Sequence, residues 1–155
     1  MISTKKKSCT LCYSKKVKIF INFGKTPLAN NLIKKSQIKY EKKFPLILGK
    51  CLKCNHVQLC KFPRPELMFN KYLYLSSASS TLTNHLKNIP KIINNFFKIK
   101  KNDLVIDIGS NDGTLLSGYK KFKVRKIGVE PAQNLKKYYK NRNLNLINTY
   151  FNFKT

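Results

Sequence analysis

The stretch VIDIGSNDGTLL, residues 105–116, decides the fold expected for the second half of the chain. Apolar residues surround Asp107 and end at Gly109, small polar residues follow, and Gly113 precedes an amphipathic run. This order predicts a strand, a tight glycine loop and a helix. Because glycine lets a ligand approach the backbone closely, the loop is a candidate binding site.

The segments on either side extend this pattern. A helix with apolar residues from Leu82 to Phe96 precedes the stretch, and we expect it to bend near Pro90. Strands and helices then alternate through DLVIDIG, GTLLSGYKKF, VRKIGVEP, AQNLKKYYKNR and LNLINTYF. Such alternation predicts an α/β fold with a parallel sheet.

Glu130 ends the second strand of this sheet, a little over twenty residues after Asp107. An acid at that position of a doubly wound fold faces the ribose of a bound nucleoside. The loop has the pattern G-x-x-x-G, which is neither the dinucleotide fingerprint nor a P-loop. S-adenosylmethionine fits these features, with its amine met by Asp107 or Asp112. The alternative is that both aspartates form turns and that Glu130 is a surface acid.

Residues 1–75 contain short apolar segments, among them the predicted strands KVKIFINFG and FPLILGKC, but no long helical period. Two Cys-x-x-Cys pairs favour a structural Zn²⁺ held by four thiolates, whose sulfurs should converge. The four cysteines are Cys9, Cys12, Cys51 and Cys54. Free or redox-active thiols are the alternative. Cys60 and His56 follow the second pair, and we expect them to be packing or surface residues.

The formal net charge of +26 would normally indicate a nucleic-acid partner. The basic residues are nearly all lysines, however, whereas arginine is the residue that binds phosphates and guanines with paired hydrogen bonds. The aromatic residues also alternate mostly as predicted core positions, not among bases on an exposed face. The composition therefore argues against nucleic acid, although a zinc-ribbon nucleic-acid-binding protein or an RNA methyltransferase stays an alternative.

Membrane and export signals are not predicted from the sequence. No apolar run approaches the ~20 residues of a membrane span, and the basic N-terminal residues are not followed by the apolar core of a signal peptide. We therefore expect a cytoplasmic protein without membrane contact, in which thiols stay reduced and paired cysteines bind metal more often than they form disulfides.

The chain resembles the sugar C-methyltransferase family in segments that follow the family's order across nearly all 155 residues. The segments are CTLC with FGKTPLANNL, FPLILGKCLKCNHVQL, YLYLSSASSTLTNH, VIDIGSNDGTLL and GVEPAQNL. The resemblance implies a zinc-ribbon-like domain at 1–75, a connecting helix at 76–100 and the first half of a Rossmann-like S-adenosylmethionine-binding sheet at 101–155. One departure is Asn55, where the family usually has glycine; asparagine tolerates the left-handed backbone that glycine provides.

The resemblance also implies the chemistry. Family members methylate a carbon beside the keto group of nucleotide-linked deoxysugars: a base removes the neighbouring proton, and the enolate carbon attacks the sulfonium methyl. The implied cofactor-binding residues are Tyr72, Ser77, Asp107, Gly109, Asn111, Asp112, Gly113 and Glu130. Tyr74 and Ser76 lie in the same stretch as Tyr72, near bound cofactor or sugar. The alternative for this stretch is a hydrophobic hinge with helix-capping serines, and His85 is expected on a helix surface.

Family members continue well beyond residue 155, and the resemblance places the general base and most sugar contacts there. No catalytic residue is therefore assigned in this chain. We expect the chain to be a truncated fragment, the product of a frameshifted gene, or one half of a split enzyme with a complementary C-terminal chain, and to be inactive by itself. An inactive remnant is the remaining alternative.

Overall fold

The computed structural model describes residues 3–5 and 7–155. They form two compact units, Met1–Met68 and Phe69–Thr155. The first unit is a four-stranded antiparallel sheet with the strand order β1-β4-β3-β2. Its strands are β1 (Ser3–Lys5), β2 (Val17–Pro27), β3 (Lys43–Cys51) and β4 (Val57–Pro63). A 3-10 helix, Lys35–Tyr40, connects β2 to β3, and a short helix α1, Pro65–Phe69, follows β4. The strands predicted from KVKIFINFG and FPLILGKC are β2 and β3.

The apolar core of the first unit is small. Among its described residues, Phe44 is the one large apolar side chain that is buried, and the other buried side chains are Cys9, Cys51, Cys60 and Gln58. A sheet that buries so little apolar surface gains little stability from the hydrophobic effect. The first unit therefore needs another source of stability.

The expectation that aromatic residues are mostly core positions is wrong for this structure. Phe20 and Phe23 on β2 are 51% and 58% exposed, and Phe96 and Phe97 at the end of a long helix are 76% and 78% exposed. On β2 the reason is that the strand lies at the edge of its sheet and changes register with β3 twice, so its side chains do not alternate between a buried and a solvated face.

The second unit contains a three-stranded parallel sheet with the order β5-β6-β7, as the alternating pattern predicts. The strands are β5 (Leu104–Ile108), β6 (Arg125–Val129) and β7 (Asn145–Ile147). The α-helices are α2 (Ser80–Phe97), α3 (Thr114–Ser117) and α4 (Lys136–Arg142). In parallel strands the carboxyl ends meet at one edge of the sheet, and this edge places the loops after β5, β6 and β7 close together.

One element of the second unit differs from the predicted one. The helix expected for GTLLSGYKKF is the short helix α3 followed by a 3-10 turn, Gly118–Lys121. Gly118 lies against α2, where an added β-carbon would be 2.9 Å from the backbone of Lys87 and 3.1 Å from the ring of Pro90. Pro90 itself is buried inside α2. Close packing at a glycine, a poor helix former, explains why a longer α-helix does not form.

No helix in the described part of the chain is both long and apolar enough to cross a membrane.

Replacing Gly128 on β6 with alanine is expected to destabilise the second unit by about 1–3 kcal/mol, the usual cost of overpacking a core. An added β-carbon would lie 2.5 Å from the hydroxyl oxygen of Tyr139 and 2.6 Å from Oγ of Ser110. Both groups are buried, and the Tyr139 hydroxyl donates a hydrogen bond to Ser110. Urea unfolding followed by tyrosine fluorescence measures the loss, with Lys126→Ala on the same strand as control. Equal midpoints for the two variants would show that Tyr139 can move aside.

Candidate functional site

The sulfurs of the four predicted metal ligands converge in the first unit. The sulfurs of Cys9, Cys12, Cys51 and Cys54 all lie within 4.8 Å of one another. Cys9 Sγ is 3.7 Å from Cys54 Sγ, and Cys12 Sγ is 3.6 Å from Cys51 Sγ. A tetrahedron with Zn–S bonds of ~2.3 Å has edges of roughly 3.8 Å. The cluster therefore has the dimensions of a four-sulfur zinc centre.

The two cysteine pairs have the same local backbone. Tyr13 N donates to Cys9 O at 3.1 Å, and Asn55 N donates to Cys51 O at 3.0 Å. Tyr13 and Asn55 both adopt the left-handed conformation, with φ of 59° and 61°. The departure at Asn55 therefore leaves the turn geometry intact, as expected for asparagine.

Backbone amides and neighbouring thiols set the protonation of the cluster. The amide of Cys54 lowers the pKa of Cys51 to about 6, and the amide of Cys12 lowers the pKa of Cys9. At Cys54 a backbone hydrogen bond from His56 is outweighed by burial and by the other three sulfurs, which raise its pKa to about 12. Cys9 and Cys51 thus favour the thiolate form, whereas Cys54 resists a further negative charge beside them. A divalent metal ion bound by the four sulfurs would compensate these charges.

Cys60 and His56 lie outside the cluster in the structure. Cys60 is buried, with its sulfur beside Gly49, and the ring of His56 is 3.2 Å from the hydroxyl of Thr10 through Nε2. Both positions agree with the packing and surface roles expected from the sequence.

The glycine loop after β5 uses its amides internally. Gly109 and Ser110 donate to Val129 O, Asn111 N donates to Glu130 Oε2 at 2.9 Å, and Thr114 N donates to Asp112 Oδ1 at 3.1 Å. Two of these amides thus bind carboxylates of the chain itself. The loop is therefore not a phosphate cradle, in agreement with its departure from the dinucleotide and P-loop patterns.

Glu130 is buried at the end of β6, with both carboxylate oxygens anchored. Oε2 accepts from Asn111 N and Oε1 accepts from Ala132 N, each at 2.9 Å. The turn that follows is held by Asn148, whose side-chain amide donates to Glu130 O at 2.6 Å. Because each carboxylate oxygen has two acceptor directions, Glu130 keeps capacity for further donors. Sequence reasoning missed Asn148, which is one of many asparagines in the chain.

Asp107 and Asp112 occupy very different surroundings. Asp107 is half-buried at the end of β5, and burial together with the charge of Glu130 raises its pKa. Asp112 is fully buried, accepts from Ser77 N and from Thr114, and lies 3.6 Å from the guanidinium of Arg142. The carboxylate of Asp112 is thus engaged by the chain, whereas Asp107 is the aspartate better placed to accept from a ligand.

Residues 70–77, NKYLYLSS, lie across the loops at this edge of the sheet, and we call them the strap. Asn134 accepts from Tyr72 N at 2.9 Å and donates to Tyr72 O at 2.8 Å. Asn111 accepts from Ser76 N at 2.9 Å and donates to Tyr74 O at 3.1 Å. The structure thus brings the predicted stretch YLYLSS against the glycine loop and against the turn that follows Glu130.

Sequence reasoning missed the role of Asn134, which makes its contacts with a residue 62 positions earlier in the chain. His85 lies exposed on α2, as expected for a helix-surface residue, and Tyr74 lies in the strap and is 43% exposed. The side chains gathered at this edge of the sheet are therefore mainly carboxylates, asparagines and strap tyrosines.

Comparison with known proteins gives two matches. Residues 9–69 match a family described as "Putative zinc binding domain". Over 116 residues the chain is 31% identical to C-methyltransferase NovU of Streptomyces niveus, and this match covers 74% of the chain and 28% of that protein. The match thus spans less than a third of the relative's length. Both matches support the resemblance found from the sequence: residues 9–69 are similar to a zinc-binding domain, and most of the chain is similar to part of a C-methyltransferase.

Proposed function

We propose that the second unit binds S-adenosylmethionine and that the chain forms part of a C-methyltransferase acting on a nucleotide-linked keto-deoxysugar. The observation that carries the proposal is the buried Glu130, anchored by two backbone amides beside a glycine loop in which the amides of Gly109, Ser110, Asn111 and Gly113 are bonded within the chain. Such a site accepts hydrogen bonds from a nucleoside but offers no cradle to its phosphates.

The charge of the site also favours this cofactor. Three of the six acidic residues of the chain, Asp107, Asp112 and Glu130, lie at the loops of the sheet, although the chain carries a net charge of +26. Clustered carboxylates attract cations over anions. S-adenosylmethionine carries a sulfonium and an ammonium group, whereas dinucleotides and nucleoside triphosphates carry negative phosphates.

The residues present fit the cofactor in their chemistry. The carboxylate of Glu130 accepts from the ribose hydroxyls, and Asp107 accepts from the ammonium group. Beside Gly109 no atom lies within 4 Å of where a β-carbon would stand, so a ligand can approach the backbone there. When bound, the cofactor supplies an electrophilic methyl group, and the chain's contribution is to orient it.

The zinc centre has a structural role in this proposal. Four sulfurs close the tetrahedron and leave no open position for a water or a substrate. The first unit, with its small core, gains from the metal the stability that its side chains do not supply. The sugar nucleotide and the general base are assigned by family resemblance to a complementary C-terminal part, which is the proposed partner of this chain.

Replacing Glu130 with alanine is expected to weaken binding of S-adenosylmethionine by about 1–3 kcal/mol, the range for losing hydrogen bonds to a charged group. Equilibrium dialysis with isotope-labelled S-adenosylmethionine measures the dissociation constant even when binding is weak. Glu66→Ala, an exposed acid of the first unit, is the control and should bind as the unsubstituted chain does.

Competition separates this proposal from other nucleotide sites. S-adenosylhomocysteine should displace the label, and ATP and NAD should not, because four of the five amides of residues 109–113 are already bonded to the chain's own groups. Displacement of the label by ATP at the same concentration would contradict the proposal that the site does not bind phosphate groups. Equal affinities for Glu130→Ala and the unsubstituted chain would show that Glu130 supports the loop but does not bind the cofactor.

A second candidate function is nucleic-acid binding by the first unit, and it is favoured by one observation on β2. Phe20 and Phe23 are exposed there, and the exposed Lys18 lies opposite the exposed Lys50 on β3. Exposed aromatic rings beside lysines are the pattern of surfaces that bind single strands. A filter-binding assay with single-stranded RNA decides this: Phe20→Ala should reduce the affinity severalfold if the bases stack there, and Phe97→Ala in the second unit should not.

A further inference from the structure

The strap is held by two asparagine side chains that imitate a neighbouring strand. Asn134 pairs with both the N–H and the C=O of Tyr72, and Asn111 pairs with Ser76 N and Tyr74 O on either side of Leu75. A carboxamide offers one acceptor and one donor group in a plane, which matches the two groups of a strand residue. Aspartate lacks the donor, so these two positions need asparagine.

The supports of the strap are also the supports of Glu130. Asn111 donates its own backbone amide to one oxygen of Glu130, and Ala132, two residues before Asn134, donates to the other. Ser77 N adds a bond to the buried Asp112 at 3.1 Å. Displacing the strap therefore disturbs the same loops that fix the carboxylate.

We infer that Asn111 and Asn134 are positioning residues. Their side-chain amides are hydrogen-bonded to the strap and hold it as one wall of the cofactor site. This inference rests on the proposed function, because the wall has a role only if a ligand binds beside it. In this role Asn111 acts through the strap, because its side-chain oxygen is bonded to Ser76 N and its amino group to Tyr74 O. The affinity for S-adenosylmethionine thus depends on two residues that act through the strap.

Hydrogen exchange in the ligand-free chain tests the holding of the strap. In Asn134→Ala the amide of Tyr72 should exchange roughly tenfold faster, and in Asn111→Gly the amide of Ser76 should do so, because each loses its acceptor. Glycine is chosen at position 111 because its φ of 50° suits glycine and strains alanine. Asn141→Ala on the exposed side of α4 is the control. Exchange at Tyr72 and Ser76 that matches the control would overturn the inference.

Binding of labelled S-adenosylmethionine to the same variants tests the consequence. Asn134→Ala and Asn111→Gly should each raise the dissociation constant roughly five- to tenfold, the size expected for the loss of a hydrogen-bonded support. Faster exchange with unchanged affinity would overturn the positioning role while leaving the proposed function standing. No binding by the unsubstituted chain would overturn both. Exchange rates of amides in β3 and β4 should stay the same in all variants, which shows that the first unit is folded.

Discussion

Replacing Cys51 with serine is expected to abolish zinc binding and to unfold the first unit. Structural zinc contributes about 10–16 kcal/mol of apparent binding energy in small domains, as much as the whole stability of a typical protein. The first unit has little else to hold it, because Phe44 is the one large apolar side chain buried among its described residues. Zinc content by elemental mass spectrometry should fall from one per chain to near zero, and the amides of β2, β3 and β4 should lose their exchange protection.

Cys60→Ser is the matched control for this result. Cys60 is buried on β4 of the same sheet but lies outside the four-sulfur cluster. The control variant should keep its zinc and its amide protection, and a chelator should reproduce the effect of Cys51→Ser on the unsubstituted chain. Retained protection in β3 after the metal has been removed would show that the sheet is stable without it.

The zinc centre could be predicted because each half of it is formed by residues that are neighbours in the sequence. Each Cys-x-x-Cys pair builds its own turn, and the left-handed residue after it, Tyr13 or Asn55, closes that turn within five consecutive residues. Only the meeting of the two pairs needs the tertiary fold, and the antiparallel pairing of β2 with β3 supplies it. The alternation of strands and helices in the second unit is local in the same sense, and the parallel order β5-β6-β7 follows from it.

The strap contacts could not be predicted from the sequence. Asn134 and Tyr72 are 62 positions apart, and asparagine is abundant throughout the chain, so no pattern marks the pair. The exposure of Phe20 was missed for a related reason, because alternation predicts a buried face only when something covers that face. The sequence left two roles open for Asp112. Its burial, its three hydrogen-bond donors and its ion pair became visible only with the positions of Ser77 and Arg142.

Replacing Asp112 with asparagine is expected to destabilise the second unit by about 3–5 kcal/mol, the usual cost of breaking a buried ion pair by removing one partner. The substitution keeps the shape but turns an amide group toward donors. Depending on which oxygen is replaced, either Ser77 N or Thr114 loses its acceptor, and the guanidinium of Arg142 loses its countercharge. Hydrogen exchange of α3 and of the strap measures the loss. Asp103→Asn, an exposed aspartate that accepts from Lys100 N at 2.7 Å, is the matched control and should cost far less.

The dependence of stability on pH is an independent test of the contribution that the Asp112 carboxyl group makes. Burial alone would raise the pKa of Asp112, but hydrogen bonds from Ser77 and Thr114 and the charge of Arg142 outweigh it and hold the pKa below its ordinary value. The folded chain then binds fewer protons at this site than the unfolded chain. The contribution of Asp112 is therefore present above its ordinary pKa of about 4 and is lost as the pH falls through the lowered folded value. Asp112→Asn should flatten this acid-side decline in the stability of the second unit, and Asp103→Asn should preserve it. An equally steep decline in Asp112→Asn would show that other carboxyl groups carry the acid sensitivity.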